Sequence, residues 1–395
     1  MHILVINCGS SSIKYKLYDM ARQAELATGL IERIGESESH TTHKVNGQTV
    51  ERSDRIGDYE RGVAQIMELL TTCGSPPPLK DPQDVSGVGH RVVHGGEDFA
   101  DSVVVDDSVL AAIKRCCELA PLHNPANLAG LQATMHTLPG KPQVAVFDTA
   151  FFQTMPPASY HYAVPYEWYE QKKIRRYGFH GTSHKYVAAR AAELLGNNKP
   201  NLITMHLGNG GSMSCIKGGI AVDQTMGLTP LEGLVMGTRS GDIDPAIIFH
   251  MAREGMELAD VRTGLEKKSG LLGLSGVSRD MRDVEKAAEE GNERAALALG
   301  VFAHRVRKYV GAFLVELGTC DALVFTGGIG ENAVDMRARI LDGLGPLGIE
   351  LDARKNDHRS GEPFCITTDS SRTATWVIPT NEELMIARDT TRLIS

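Results

Sequence analysis

The chain has 395 residues, enough for two domains with full cores, since single domains run about 100–200 residues. Its 41 Lys and Arg against 49 Asp and Glu give a net charge of -8 with the signs interspersed, which excludes the basic footprint of a nucleic-acid binder. No apolar run approaches the roughly 20 residues of a membrane helix, the N-terminus lacks a signal-like basic and apolar pair of regions, and seven cysteines without a Cys-x-x-Cys pair read as reduced thiols, so a soluble cytoplasmic protein is expected.

Residues 3–18, ILVINCGSSSIKYKLY, form an apolar strand, a Gly-Ser turn and an alternating strand. The turn is either a plain structural hairpin or a phosphate seat, where Gly9 lets backbone approach, the serines offer hydroxyls and N–H groups, and Lys14 supplies charge. Cys8 sits beside this turn as a candidate for inhibitory alkylation. Segments 26–34 and 43–54 read as strands, with the polar stretch 35–48 as an exposed connection. A helix near 59–72 is followed by the proline-rich loop CGSPPPLKDPQD, where regular structure stops.

The strand in VSGVGHRVVHGG puts Arg91 beside two valines, a costly position unless it meets an anion or an internal carboxylate. Helices are predicted near 107–118 and 125–137, the second opened by Asn124-Pro125 as N-cap and first turn. The buried strand within 142–152 ends at Asp148, which could serve as a base, a metal-side acid or a helix cap, and the first domain closes there. His90 with His94, and His180 with His184 in YGFHGTSH, have a metal-pair spacing, but neither pair has the Glu of an H-E-x-x-H motif or a third ligand nearby.

LITMHLGNGGSMSCIKGG repeats the first hairpin, Gly208 matching Gly9 and Asn209 matching Ser10 at an offset of 199 residues, which suggests one ancestral unit used twice. GTRSGDIDP holds Arg239 in a tight turn with Asp242 and Asp244 beside it, a catalytic or anion-binding arrangement. A long amphipathic helical region, 281–317, precedes strand 321–326, and TGGIGEN then makes a strand, glycine turn and helix start of the kind that seats a nucleotide. NEEL, 381–384, opens a last helix that could pack on the first domain, its two carboxylates suited to a helix N-terminus.

The alternation of strands and helices implies an α/β fold. Two phosphate hairpins, a nucleotide turn, two arginines and carboxylates suited to magnesium point to phosphoryl transfer, which needs positioning and charge stabilisation more than covalent chemistry. No G-x-x-x-x-G-K-[ST] and no protein-kinase motif set occurs.

The ordered set NCGSSSIKYKLYD, GHRVVHGG, LAPLHNPAN, FDTAFF, YGFHGTSH, HLGNGGS, GLTPLEGLVMGTRSGDIDP, FTGGIGEN and PTNEEL, spanning nearly the whole chain, resembles the acetate kinase family. That resemblance implies a two-domain actin/hexokinase/Hsp70-like, ribonuclease H-like fold with a duplicated core and an interdomain active-site cleft. The domains would be 1–150 with the C-terminal helix 382–395, and 151–381. It implies reversible transfer of the ATP γ-phosphoryl group to acetate, giving acetyl phosphate and ADP, with Mg2+ (Mn2+ as a substitute), in a homodimer.

Carried over by residue, the family pattern makes Asn7 and Glu382 the magnesium positions, with Glu383 as the alternative. Ser10, Ser12 and Lys14 would hold ATP phosphates and His206, Leu207, Gly208, Asn209 and Gly210 form the second phosphate loop. Asp280, Met281 and Arg282 with Gly328, Ile329, Gly330, Glu331 and Asn332 would seat the adenosine. Arg91 would bind the acetate carboxylate and, with His180 and Arg239, stabilise the phosphoryl in flight. Asp148 matches the family's essential carboxylate; because acetate is already ionised near neutral pH, it is expected to orient Arg91 or the magnesium shell instead of acting as a base. Val93, Leu122, Phe179 and Pro230, with His123 beside them, would line a small acid pocket, where a β-branched valine favours acetate over propionate. The relatives propionate and butyrate kinase, and a nucleotide-binding regulator or ATPase on the same fold, are the alternatives.

Overall fold

A computed structural model describes residues 1–395. The chain forms two compact units, Met1–Gln153 with Asn381–Ser395, and Thr154–Thr380. No helix is long and apolar enough to cross a membrane.

The first unit is built on an eight-stranded mixed sheet of β1 (His2–Gly9), β2 (Ser12–Asp19), β3 (Ala24–Glu32), β4 (Ser39–Val45), β5 (Gln48–Asp54), β6 (Val85–Val92), β7 (Val103–Val104) and β8 (Gln143–Phe147). Their order is β5-β4-β3-β2-β1-β6-β8-β7. Strand alternation sends Leu4, Ile6, Cys8, Ile13, Tyr15 and Leu17 into a core shared with the helix Tyr59–Thr72. The opposite face carries Ile3 and Val5 and is covered by the C-terminal helix Glu382–Ile394. Gly87 and Gly89 make that close packing possible, since a Cβ at either would collide with Ile394 or with Thr390 and Ile386.

The stretch 35–48 is not an exposed connection: it contains β4, whose Ser39, Thr41 and His43 are buried. Each of the three side chains makes a hydrogen bond, which is what makes burial tolerable, though His43 Nε2 has no partner. Ser39 Oγ donates to the Arg33 carbonyl at 2.9 Å, Thr41 Oγ1 donates to Gln65 at 3.2 Å, and Tyr15 Oη lies 2.7 Å from His43 Nδ1.

The second unit holds a six-stranded sheet of β9 (Leu202–Leu207), β10 (Gly211–Lys217), β11 (Ile220–Gln224), β12 (Ala322–Thr326), β13 (Phe364–Cys365) and β14 (Ala374–Val377), in the order β11-β10-β9-β12-β14-β13. The run β11-β10-β9-β12-β14 repeats β3-β2-β1-β6-β8: three antiparallel strands, then two parallel to the first. The repeat seen in the two hairpins is thus a duplicated five-stranded core. Both hairpin turns sit at the same end of it, Ser10-Ser11 in one copy and Gly208-Asn209-Gly210 in the other.

Ile203, Met205, Leu207 and Met213 pack into a core with Phe302, Val306, Val310 and Phe313 of the helix Glu293–Leu317. Burying each such side chain is worth about 1.5–3 kcal/mol before entropy is counted. The helical region 281–317 is two helices, Met281–Glu289 and Glu293–Leu317. Gly291 takes φ +93, and Asn292 caps the second helix by accepting from the Ala295 N–H at 3.0 Å.

Candidate active site

In the first unit, alternation puts Asn7, Arg91 and Asp148 at the ends of β1, β6 and β8 on the face under the C-terminal helix. Asp148 is 1% exposed and lies just past β8, so its charge needs a partner. Arg91 supplies one in a two-bond fork, Nε donating to Oδ1 at 3.1 Å and Nη2 to Oδ2 at 2.7 Å. The Asp148 charge, and more weakly Glu382 and Glu383, push the Arg91 pKa upward.

The two glutamates that open the C-terminal helix differ sharply. Glu383 pairs with Lys14 and lies 3.9 Å from Lys16 Nζ. Burial acts to raise its pKa, but the lysines bring it below the ordinary value. Glu382 forms no lysine pair of its own: burial, with Asp148 and Glu383, outweighs the pull of Arg91 and Lys14 and leaves its pKa at about 7. A half-buried carboxyl that feels the Asp148 charge offers hard oxygen donors of the kind a divalent cation takes. Lys14 is thereby engaged with Glu383, while Ser10 is exposed at the turn and Ser12 half-buried.

Asn381 caps that helix, accepting from the Leu384 N–H at 3.0 Å and from Tyr18 Oη at 3.2 Å. The segment after β6, which carries Val93, is pinned by two asparagines, Asn124, expected from the sequence as a helix cap, and Asn127, which the sequence did not single out. Asn127 Oδ1 accepts from the Val93 N–H at 3.0 Å, and Asn124 bonds both the His94 N–H (3.0 Å) and the His94 carbonyl (2.9 Å). Asn124 is therefore not the cap of the helix Asn124–Thr137; His123 occupies that position without a side-chain cap bond. Two asparagines three apart on one helical turn were the available signal. Val93 is buried, Leu122 is 56% exposed and His123 half-buried.

His90 and His94 form no metal pair: His90 Nε2 lies 2.7 Å from Gln143 Oε1, and His94, beyond the end of β6, accepts from the Gly96 N–H at 3.0 Å. Cys8 points into the core, with burial raising its pKa to about 12, so it is not the reactive turn thiol expected.

In the second unit, β9 and β10 present Thr204, His206, Ser212 and Ser214 on the face opposite the hydrophobic core, toward the helix Gly181–Leu195. His180 sits at the start of that helix with φ +60. Its Nδ1 lies 2.9 Å from Ser212 Oγ, and its ring stacks on His206 at 4.4 Å between centroids. His184 is buried and lies 2.8 Å from Ser212 Oγ and 2.6 Å from Thr204 Oγ1, so His180 and His184 serve one hydrogen-bond chain and not a metal.

A Cβ built on Gly210 would lie 3.5 Å from His180 Nε2 and 3.7 Å from Arg239 Nη1, so both side chains converge on the β9–β10 turn. Arg239 forms no ion pair; burial lowers its pKa, and its Nη1 donates only weakly to the Pro230 carbonyl at 3.4 Å. A cation held out of water without a carboxylate is a seat for an anion. The loop behind it is clamped. Asp242 accepts from the Gly233 N–H at 2.8 Å and from Tyr309 Oη at 2.7 Å, Arg305 binds the Gly233 and Asp242 carbonyls, and the Gly237 N–H donates to the Asn209 carbonyl at 2.9 Å. Asp242 and Asp244 are thus scaffold: Asp244 accepts from the Ala246 N–H at 2.9 Å just ahead of the helix Ala246–Arg253, whose N-cap position is Pro245. Phe179 is buried and Pro230 half-buried.

A pocket of about 640 Å3 opens beside this turn, lined by Gly208, Asn209, Asp280, Met281, Arg282, Gly328, Ile329 and Asn332. Asp280 is held by Arg282, Nη2 to Oδ2 at 2.6 Å, which brings its pKa down to about 2. Of the residues expected to hold the nucleotide, His206, Leu207 and Gly210 of the phosphate loop and Gly330 and Glu331 of the glycine turn do not line this pocket. Leu207 is core, Gly330 packs on Phe325, and His206 bonds Ser183 Oγ at 2.8 Å. Glu331 turns inward to accept from the Gly327 and Thr380 N–H groups at 2.9 and 3.1 Å. In their place Arg279, Glu285, Ala333 and Arg359 complete the wall.

The model of the acetokinase family matches residues 2–388. The chain belongs to the acetokinase family. An acetate kinase of Treponema denticola is 54% identical over the full length of both chains. Among solved structures, acetate kinase from Porphyromonas gingivalis matches with a TM-score of 0.95 at 45% identity, covering 100% of both chains. A propionate kinase from Francisella tularensis subsp. tularensis matches at 0.93 and 43% identity, covering 99% of each. The acetokinase fold is accordingly the two-unit α/β architecture with a duplicated core described above.

Proposed function

We propose that this chain is an acetate kinase, transferring the γ-phosphoryl group of ATP reversibly to acetate with Mg2+ and giving acetyl phosphate and ADP. The observation that carries the reading is Arg91, a strand-end arginine locked to buried Asp148 beside Val93. That fork leaves Nη1 for an incoming carboxylate and fixes the guanidinium plane in advance. Acetate, already ionised, attacks with a carboxylate oxygen; Asp148 aligns Arg91 and moves no proton.

In the second unit Arg239 and His180, converging on the β9–β10 turn, would stabilise charge on the phosphoryl as it passes in line from ADP to acetate. Gly208 and Asn209 offer backbone to the phosphates, and the 640 Å3 pocket would take the adenosine. Glu382 and Asn7 would hold the Mg2+, for which Mn2+ could stand in, and Asp148 would lie beside it; a cation there neutralises phosphate charge. We read the enzyme as a cytoplasmic homodimer, with the exposed Ile247, Phe249 and Leu258 as surface that a second copy would cover.

The propionate kinase among the relatives favours one second reading, a preference for the longer acid. The test is Mg2+-dependent ADP formation from ATP with acetate, propionate, butyrate or no acid, hydroxylamine trapping the acyl phosphate. Turnover that falls from acetate to butyrate supports acetate kinase, and a propionate optimum selects the second reading. ADP release without any acid, and without hydroxamate, overturns both.

A further inference from the structure

Four side chains of the second unit form one continuous hydrogen-bond chain. Thr204 Oγ1 lies 2.6 Å from His184 Nδ1, His184 Nε2 lies 2.8 Å from Ser212 Oγ, and Ser212 Oγ lies 2.9 Å from His180 Nδ1. Thr204, His184 and Ser212 are each fully buried, on β9, the helix Gly181–Leu195 and β10.

The direction of every bond follows from the first. The Thr204 hydroxyl has His184 as its single partner, and a buried O–H left without an acceptor is costly, so its proton is donated to Nδ1. Burial, reinforced by His206, holds His184 neutral, with its pKa well below the ordinary imidazole value. Its one proton then sits on Nε2 and is donated to Ser212 Oγ, whose own proton goes to His180 Nδ1. A neutral His180 is left with its proton on Nε2, the atom that faces Gly210 beside Arg239 Nη1.

We propose that Thr204, His184 and Ser212 are positioning residues that fix His180 as its Nε2–H tautomer, so that it presents an N–H to a phosphoryl oxygen. The opposite tautomer would turn a lone pair toward an anion and repel it. This rests on the reading of His180 as a group that touches the transferring phosphoryl.

The test uses the full-length chain labelled with 15N-histidine, His180 being assigned by His180→Gln. Long-range 1H–15N correlations at neutral pH should show Nε2–H for His180 in the wild type. Ser212→Ala, which cuts the chain beside His180, and Thr204→Val, which cuts it two residues away without touching His180, should each give a tautomer mixture. Thr204→Ser, which keeps the hydroxyl, should restore the wild-type pattern. In parallel, kcat should fall about tenfold to a hundredfold in Ser212→Ala while KM for ATP and for acetate stays within about twofold. A wild-type His180 carrying its proton on Nδ1, or a tautomer unmoved by both Ser212→Ala and Thr204→Val, overturns the relay. Full activity in His180→Ala, with Nε2–H plainly present, overturns the catalytic use of that proton instead, so the two failures are told apart.

Discussion

In the first unit the sheet face under the C-terminal helix is apolar along Ile3, Val5 and Val144, and charge appears only at the strand ends, in Arg91 and Asp148. In the second unit the equivalent face carries Thr204, His206, Ser212 and Ser214 along its length, with no carboxylate, lysine or arginine among them. The same five-stranded core therefore supports two kinds of site. Arg91 and Asp148 are kept in mutual balance at a rim, whereas neutral polar groups can be buried in a row provided each makes a hydrogen bond. A small carboxylate is best met by a fixed, balanced charge, and a phosphoryl group by backbone, neutral donors and one uncompensated arginine.

The sharpest way to break this comparison is to remove Arg91. In Arg91→Ala, kcat/KM for acetate should fall by about 1000-fold or more, and stability by roughly 3–5 kcal/mol, because Asp148 is left as a buried, unpaired charge. Denaturant unfolding checks the second effect and the hydroxamate assay the first. Adding Asp148→Asn should return much of the stability and none of the activity. An Arg91→Ala chain as stable as wild type would mean that the fork carries no structural weight.

Arg239 should behave in the opposite sense. Arg239→Ala should lower kcat by about 100- to 1000-fold, yet leave the melting temperature unchanged or raise it, since the guanidinium is half-desolvated without an ion pair. Calorimetry on the two single variants side by side decides the matter: a loss of stability in Arg239→Ala as large as in Arg91→Ala would erase the distinction between the two rims.

Much of this was legible in the residues. The strand-turn-strand pattern around Gly9 and Gly208 gave away the duplicated hairpins, and Arg91 and Arg239 stood out because arginine beside valine or inside a glycine turn is expensive without an anion. Glu382 and Glu383 could not be told apart, because what separates them is two lysines brought over by β2 through tertiary packing. For the same reason β4 was read as a loop: the partners that make Ser39, Thr41 and His43 buriable lie on other elements. Glu331 looked like a nucleotide ligand by its place in a glycine turn, and only the fold shows its carboxylate spent on the Gly327 and Thr380 amides.

The balanced rim also predicts how the first unit responds to acid. His90 is buried against Gln143, and burial depresses its pKa from 6.5 to about 4. Below pH 6.5 the unfolded chain takes up a proton that the folded chain refuses, so stability is full above that value and declines as pH falls toward 4. The loss attributable to this one group reaches about 3 kcal/mol at pH 4. His90→Gln should flatten the acid side of the stability curve by one proton, measured as denaturation midpoint against pH between 4 and 7. An unchanged slope would mean that His90 is protonated in the fold.

The smallest expected effect bears on specificity. Val93 is buried at the segment held by Asn124 and Asn127, so its backbone is pinned, and on the proposed reading its two methyl groups would limit the length of acid that fits. Val93→Ala should raise the propionate-to-acetate ratio of kcat/KM by about tenfold, the worth of roughly one methylene in a shaped apolar pocket. KM for ATP should not move, because the wall of the 640 Å3 pocket belongs wholly to the second unit. Loosening the clamp by Asn127→Ala should instead weaken use of every acid alike, since a Val93 free to shift no longer measures chain length. If Val93→Ala changed KM for ATP as much as the acid ratio, the division of labour between the charged rim and the neutral one would have to be given up.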